Sequence, residues 1–235
     1  MVGEEVCTRD RSITHVLFDM DGLLLDTEEF YTVVQQKILE RFGKEFTWSL
    51  KSKMIGKKAL EAGQILVKEL GLEGVITPEE FVAEREAMLK SMFPNTELLP
   101  GAERLVRHLH AHGVPMAIAT SSHRRHFELK TTKHGELISL MHHVVVGDDP
   151  AVTKGKPSPE IFLTAFARFQ EPHLTTYQVL VFEDAPSGVA AARAANMPVV
   201  MVPDARLDPK LHEGADQVLS SLLDFDPGFW GLPPF

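Results

Sequence analysis

The chain has 235 residues, 44% of them apolar, and a formal net charge of -9, so it is long and apolar enough for a folded core. The excess of acids argues against nucleic acid and membrane surfaces as partners and favours small ligands and metal cations. Cys7 is the only cysteine, which excludes an intrachain disulfide. Because no signal peptide or long apolar run is visible, we expect a cytoplasmic protein. The expected oligomeric state is a monomer or a weak homodimer.

The first predicted element is a buried strand at 14–19, and a long helical stretch follows it. From Thr27 to about Leu98 the pattern is helical throughout, and its last helix opens with Thr77 as N-cap before Pro78. We interpret 27–98 as an α-helical cap inserted into a catalytic core made of 1–26 and 99–235.

Strands and helices alternate in the remainder of the chain. Nearly continuous apolar runs are typical of parallel strands that are covered on both faces. The sequence therefore predicts an α/β fold, a Rossmann-like doubly wound parallel sheet. The predicted strands are 114–121, 142–148, 178–184 and 198–203, and the predicted helices are 101–113, 123–135, 158–169 and 187–197.

Polar residues follow four of the five predicted strands. Ligands bind beyond the carboxyl ends of strands in such sheets, and neighbouring carboxylates are costly to bury without a cation. A hard divalent cation, Mg2+ first, fits these oxygen donors. Asp148 and Asp149 either orient Lys156 or cap a turn. The strand-end residues are Asp19 and Asp21, then Thr120, Ser121 and Ser122, then Asp148 and Asp149, and finally Glu183 and Asp184.

Four motifs in this order resemble the haloacid dehalogenase superfamily of phosphohydrolases, in its branch with a helical cap after the first strand. They are DMDG at 19–22, the strand ending at Thr120, Lys156 in GKPSPEIF, and Glu183 with Asp184 in VFEDAPSGV. The resemblance runs from Thr14 through nearly all of the chain. It agrees with the chemistry of phosphoryl transfer, which depends mainly on positioning and charge neutralisation.

The resemblance implies a role for each motif residue. Asp19 is the expected nucleophile, which forms an aspartyl-phosphate, and Asp21 is the expected general acid and then base. Thr120 and Ser121 should hold phosphate oxygens, and Lys156 should add positive charge. Because carboxyl pKa values are ordinarily near 4, Asp21 must have a raised pKa or gain a proton on substrate binding. Expected metal ligands are Asp19, Asp21 through its backbone carbonyl, Glu183 and Asp184.

The stretch MIGKKALEA at 54–62 resembles the cap loop that reaches into the active site in this family. Gly56 would allow close approach, and Lys57 and Lys58 would contact a polar substrate. The alternative for each lysine is an exposed position at a helix N-terminus, which we consider equally supported.

The expected partner is a small phosphorylated metabolite. Segments such as SLMHHVVVGDDP and ADQVLSSLLDF resemble plant glycerol-3-phosphate phosphatases, and GKKALEA resembles eukaryotic pseudouridine 5'-phosphatases. Glycerol 3-phosphate is therefore the first prediction, with pseudouridine 5'-phosphate or FMN as the alternative. A sugar-phosphate mutase of the beta-phosphoglucomutase type and a non-catalytic phospho-ligand module stay open. The apolar WGLPPF tail is expected to dock on the core or on a second subunit.

Overall fold

The computed structural model describes residues 13–54 and 59–235. Its six strands form one sheet in which every hydrogen-bonded pair is parallel. The predicted fold class is confirmed. The strands are β1 His15–Phe18, β2 Met116–Ala119, β3 His143–Val145, β4 Val179–Glu183, β5 Val199–Met201 and β6 Gln217–Val218, in the spatial order β3-β2-β1-β4-β5-β6. The sequence analysis missed β6, because a strand of two residues, one of them the polar Gln217, gives no apolar run.

Both faces of the sheet are buried. Val16 and Phe18 of β1 belong to the hydrophobic cluster on one face, and Leu17 between them belongs to the cluster on the other. Successive side chains of a strand point to opposite faces, which is why the strands are apolar at every position. The first cluster includes Trp230, which is fully buried, so the WGLPPF tail packs on its own core.

Helices cover the sheet and fill the stretch between β1 and β2. They are α1 Glu28–Glu40, α2 Trp48–Met54, α3 Ala59–Glu69, α4 Pro78–Met92, α5 Ala102–Ala111, α6 Arg124–Lys130, α7 Gly135–Ile138, α8 Glu160–Ala167 and α9 Pro186–Ala194. The single helix predicted at 123–135 is wrong beyond Lys130. The hydroxyls of Thr131 and Thr132 donate to the carbonyls of Phe127 and Leu129 there, and such bonds compete with continued helix.

The helical stretch α1–α4 has a hydrophobic cluster of its own, which includes Phe81, Leu89 and Phe93. Among its described residues there is no strand. The predicted helix N-cap at Thr77 is confirmed. The Thr77 hydroxyl accepts from the Glu80 amide at 3.1 Å, and the Thr77 amide donates to the Glu80 carboxylate at 2.9 Å. The division into a catalytic core and a substrate-selecting cap stays a prediction.

Two adjacent chain segments connect α1–α4 to the sheet. Leu25 and Leu98 form an antiparallel bridge. The amide of Asp26 donates to the Glu97 carbonyl at 3.0 Å, and the amide of Leu99 donates to the Leu24 carbonyl at 2.9 Å. The outgoing and returning segments therefore stabilise each other close to Asp21. In the described part of the chain, no helix is both long and apolar enough to cross a membrane.

Candidate active site

Asp19 comes directly after β1, at the carboxyl edge of the sheet, and is buried. Its amide donates to the Phe182 carbonyl at 2.9 Å, so it extends the ladder between β1 and β4. Because Phe18 is in register with Phe182, Asp19 lies beside Glu183, the last residue of β4. β1 lies between β2 and β4, and chain connections diverge there, which is where open α/β sheets bind ligands.

The acidic cluster consists of Asp19, Glu183 and Asp184. Each residue offers one carboxylate oxygen, and these oxygens lie within 4.8 Å of one another. The ammonium of Lys156 enters the cluster from the loop before α8. It donates to Asp19 Oδ1 at 2.5 Å and to Glu183 Oε1 at 2.6 Å, and its side chain is only 6% exposed. The structure thus brings four predicted site residues together.

The loop that carries Lys156 is held by Glu160, the first residue of α8. Its Oε2 accepts from the amides of Thr153 and Lys154 at 2.7 and 2.8 Å. A third hydrogen bond from Lys156, to the Ala119 carbonyl at 3.3 Å, ties the ammonium to the end of β2. The glutamate of KPSPEIF therefore has a local task, which is to present the lysine to the acidic cluster.

Two glycines leave room for the carboxylates. A Cβ on Gly188 would lie 1.8 Å from Cδ of Glu183, and a Cβ on Gly22 would lie 2.4 Å from Oδ2 of Asp184. Gly22 also has φ +77, a left-handed conformation that favours glycine. The glycines of DMDG and of VFEDAPSGV are therefore explained by the space that Asp184 and Glu183 occupy.

Burial and neighbouring charges shift the pKa values of the acidic cluster and of Lys156. Burial raises the pKa of Asp19 to about 7; Lys156 opposes this rise, and Glu183 adds to it. Burial also raises the pKa of Asp184 well above its ordinary value, and Glu183 and Asp19 add to that rise. Burial lowers the pKa of Lys156, but Asp19 and Glu183 outweigh it, so its pKa is raised and it stays charged. Three carboxylates face one ammonium, and this excess of oxygen donors and negative charge fits a hard divalent cation.

Asp21 lies in different surroundings. Its Oδ1 accepts from the Thr27 hydroxyl at 2.6 Å and from the Lys130 ammonium at 2.7 Å, and its Oδ2 accepts from the Ser122 hydroxyl at 2.7 Å. We call these four residues the Asp21 cluster. Burial raises the pKa of Asp21. The charge of Lys130 and the hydrogen bonds from these donors together outweigh burial, so the pKa of Asp21 lies below its ordinary value. Of the two expected alternatives, the raised pKa is therefore not found in the substrate-free protein, and a proton gained on substrate binding stays the prediction.

The predicted phosphate-binding residues follow β2. Thr120 is fully buried, and its hydroxyl lies 3.4 Å from Asp21 Oδ2. Ser121 is exposed, and a Cβ on Gly147 would lie 2.2 Å from the Ser121 carbonyl oxygen, so Gly147 permits a close approach of two backbones. Binding of phosphate by Thr120 and Ser121 stays a prediction.

The predicted cap-loop residues Gly56, Lys57 and Lys58 lie outside the described residues. Among the described residues, a cavity lies between the start of α1, α2 and the sheet edge. The cavity is lined by residues of the acidic cluster, of α1 and of α2, so a group bound there would contact the acidic cluster and these two helices. The lining residues are Glu28, Trp48, Lys51, Asp184, Asp204 and Leu207.

The sequence analysis did not identify Lys130 or Thr27. A signal for Lys130 existed, because it lies three residues after Phe127 on the buried face of α6, where an apolar residue is expected. Of the two alternatives for Asp148 and Asp149, the turn cap is confirmed for Asp149, whose Oδ1 accepts from the Ala151 amide at 3.1 Å. Asp148 accepts from the Arg124 amide at 2.8 Å at the start of α6, and Asp149 pairs with the Arg168 guanidinium at 2.8 Å.

Comparisons with known proteins show the family of this chain. The model of the haloacid dehalogenase-like hydrolase family matches residues 16–202. (DL)-glycerol-3-phosphatase 2 of Arabidopsis thaliana is 59% identical over 224 residues, which cover 95% of this chain and 93% of that protein. A Drosophila melanogaster protein described as "Probable pseudouridine-5'-phosphatase" is 47% identical over 226 residues, with 96% of each chain covered.

A solved structure shares the fold. The crystal structure of beta-phosphoglucomutase from Clostridium difficile has a TM-score of 0.74 at 19% identity, covering 92% of this chain and 95% of that one. The chain belongs to the haloacid dehalogenase-like hydrolases. Within that family its sequence is similar to eukaryotic proteins that are named as phosphatases of small metabolites.

Proposed function

We propose that this protein is a Mg2+-dependent phosphatase of a small phosphorylated metabolite, with glycerol 3-phosphate as the first candidate. The observation that carries the proposal is the pairing of Asp19 with Lys156 beside Glu183 and Asp184, at the carboxyl ends of β1 and β4. Membership of the family and the similarity to two named phosphatases support it.

In this proposal Asp19 attacks phosphorus. A bond forms between its carboxylate oxygen and phosphorus while the bond from phosphorus to the leaving oxygen breaks, which gives an aspartyl-phosphate. Lys156 orients Asp19 and offsets negative charge on the phosphoryl oxygens. Thr120 and Ser121 supply hydroxyl and amide donors to the same oxygens.

Asp21 moves the protons. It protonates the leaving oxygen and then takes a proton from the water that attacks the aspartyl-phosphate, which releases phosphate and restores Asp19. In the substrate-free protein the nearby Lys130 ammonium keeps Asp21 ionised, so Asp21 gains its first proton as the substrate binds.

The acidic cluster is the metal site in this proposal. Mg2+ bound by the carboxylates of Asp19, Glu183 and Asp184 and by the Asp21 carbonyl would neutralise charge on the phosphate and hold it in place. The fit rests on three carboxylates that share a single ammonium and on the raised pKa values of Asp19 and Asp184.

The polar part of the cavity lining, which lies beside Trp48 and Leu207, supports a small polar leaving group. The Lys51 ammonium is buried and bonded to the Thr32 hydroxyl at 2.8 Å and to the Glu28 carboxylate at 3.0 Å, and Asp204 offers further acceptors. Such groups match the hydroxyls of a polyol. Pseudouridine 5'-phosphate is the second candidate, favoured by the Drosophila relative. Gly56, Lys57 and Lys58 remain predicted substrate contacts, and a cytoplasmic location and a monomeric or weakly dimeric state remain predictions.

Phosphate release from a substrate panel tests the proposal. The panel holds glycerol 3-phosphate, pseudouridine 5'-phosphate, FMN and beta-glucose 1-phosphate, each with Mg2+ and with EDTA. We expect glycerol 3-phosphate to lead by at least about tenfold in kcat/KM, or about 1.4 kcal/mol of transition-state binding. A higher kcat/KM with pseudouridine 5'-phosphate or FMN would assign that compound as the substrate instead. Exchange of phosphate between sugar positions would indicate a mutase. A panel without turnover, in which Asp19→Asn matches the parent, would leave only a binding module.

A further inference from the structure

Lys130 is a buried cation to which the proposed chemistry assigns no step. Its side chain has no exposed surface, and it lies at the end of α6. The ammonium donates to Asp21 Oδ1 at 2.7 Å, to the Ser122 hydroxyl at 2.9 Å and to the Tyr31 hydroxyl at 3.2 Å. An ammonium has three protons to donate, so these three partners use all of them and fix its position.

Aromatic rings enclose the rest of the ammonium. It lies 4.5 Å from the centre of the Phe93 ring and 5.2 Å from the centre of the Tyr31 ring. Burial lowers the pKa of Lys130, but Asp21 and Tyr31 raise it above its ordinary value, so Lys130 remains charged. Tyr31 and Phe93 belong to the α1–α4 stretch, and Ser122 and Lys130 follow β2. Lys130 therefore touches both parts of the molecule.

The donors around Asp21 restrict how its carboxylate can turn. Lys130 and Thr27 meet at Oδ1, and Ser122 binds Oδ2. Lys130 also donates to Ser122, so the ammonium holds one carboxylate oxygen directly and orients the hydroxyl that holds the other. Removal of one partner of a buried ion pair leaves the other charge unpaired, so stability alone does not distinguish a structural role from a positioning role. A cation that bonds one carboxylate oxygen and also the hydroxyl bound to the other oxygen is arranged to orient that carboxylate.

We propose that Lys130 is a positioning residue that fixes the acid–base carboxylate of Asp21 and, through Tyr31, links its orientation to the α1–α4 stretch. This inference rests on the proposed function, because it assigns Lys130 to the proton transfers of Asp21. Lys130 itself contacts neither the acidic cluster nor, in this proposal, the substrate.

The test compares Lys130→Met and Lys130→Arg with Lys133→Met as matched control. Lys133 lies three residues further along the chain, past the end of α6, and its exposed side chain pairs with Glu97 at 2.7 Å. With glycerol 3-phosphate and Mg2+, we expect Lys130→Met to lower kcat by about 100-fold or more and to change KM by less than about threefold, since general acid–base catalysis contributes at least about 100-fold. Lys130→Arg should recover part of kcat, and Lys133→Met should match the parent.

A double-mutant cycle of melting temperature measures the coupling between Lys130 and Asp21, which the positioning role requires. We expect Lys130→Met and Asp21→Asn each to lower Tm, and the double variant to lose clearly less than the sum, because each single variant leaves a buried group without its partner. If Lys130→Met is poorly folded, Tyr31→Phe keeps the ring and removes one acceptor of Lys130. It should lower kcat with little change in Tm.

Each outcome bears on one proposal. A parent enzyme that releases no phosphate from any substrate overturns the proposed function. An active parent with Lys130→Met at parental kcat overturns only the positioning role. Additive losses in the cycle, or a loss confined to KM, assign Lys130 to stability or binding and also overturn it. An unaffected Tyr31→Phe removes the link to α1–α4.

Discussion

Asp19 and Asp21 are separated by one residue, yet their carboxylates have opposite surroundings. The acidic cluster around Asp19 has three carboxylates and one ammonium, and the pKa of Asp19 is raised to about 7. The Asp21 cluster has one carboxylate, one ammonium and two hydroxyls, and the pKa of Asp21 is lowered. The first cluster has more negative than positive charge, whereas the charges of the second cluster balance without a metal. This difference suits two carboxylates with different tasks.

Removal of the proposed nucleophile should cause the greatest loss of activity. We expect Asp19→Asn to lower kcat by roughly 10^4-fold or more, because the amide cannot form the aspartyl-phosphate. Phosphate release under saturating substrate measures it. Asp149→Asn is the control, since Asp149 pairs with Arg168 away from the acidic cluster. Equal activity of Asp19→Asn and the parent would contradict the assignment of Asp19.

Removal of the acid–base group should have a smaller effect that depends on the leaving group. We expect Asp21→Asn to lower kcat with glycerol 3-phosphate by about 10^2- to 10^4-fold, which is the usual contribution of general acid–base catalysis. An aryl phosphate such as p-nitrophenyl phosphate leaves without help from an acid, so its first equivalent of phenolate should still appear rapidly. Rapid-mixing absorbance measures this burst. An equal loss of burst rate and alkyl-phosphate turnover would argue against an acid role.

Crowding of the acidic cluster tests its geometry without removing a charge. A methyl group on Gly188 would overlap the Glu183 carboxylate, so Gly188→Ala should destabilise the protein by about 1–3 kcal/mol and weaken Mg2+ binding. Gly135→Ala is the matched control, because nothing lies within 4 Å of its added Cβ. Denaturant melts and calorimetric Mg2+ titration measure both effects. Parental Mg2+ affinity in Gly188→Ala would contradict the placement of Glu183 in the metal site.

The pH dependence of stability should reveal the raised pKa of Asp19 through a modest change in Tm. Because the folded pKa of Asp19 is raised from 3.8 to about 7, its contribution is present below about pH 4 and is lost as pH rises through 7 in metal-free protein. Mg2+ requires ionised carboxylates, so it should raise Tm more at pH 8 than at pH 6, by roughly 2–4 °C. Asp19→Asn should reduce this difference to the part that Asp184 contributes. A larger Mg2+ effect at pH 6 would contradict the raised pKa.

The sequence predicted the acidic cluster better than the Asp21 cluster. Asp19 and Glu183 end neighbouring apolar strands, so strand pattern and parallel topology place them together. Lys130 approaches Asp21 from a helix 109 residues away in sequence, and its partner Tyr31 lies in a different helix. No spacing rule connects such positions. The break after Lys130 was missed because local side-chain hydrogen bonds, and not apolar periodicity, determine it. The short strand β6 was missed because its pairing with β5, and not an apolar run of its own, defines it.

The most direct test of the division between Asp19 and Asp21 is acid quenching during turnover of 32P-labelled p-nitrophenyl phosphate, followed by mapping of the labelled peptide. We predict label on Asp19 that turns over in the parent, accumulates toward one equivalent in Asp21→Asn and is absent in Asp19→Asn. Label on another residue, or release of phosphate by an active parent with no covalent label in either the parent or Asp21→Asn, would contradict the account.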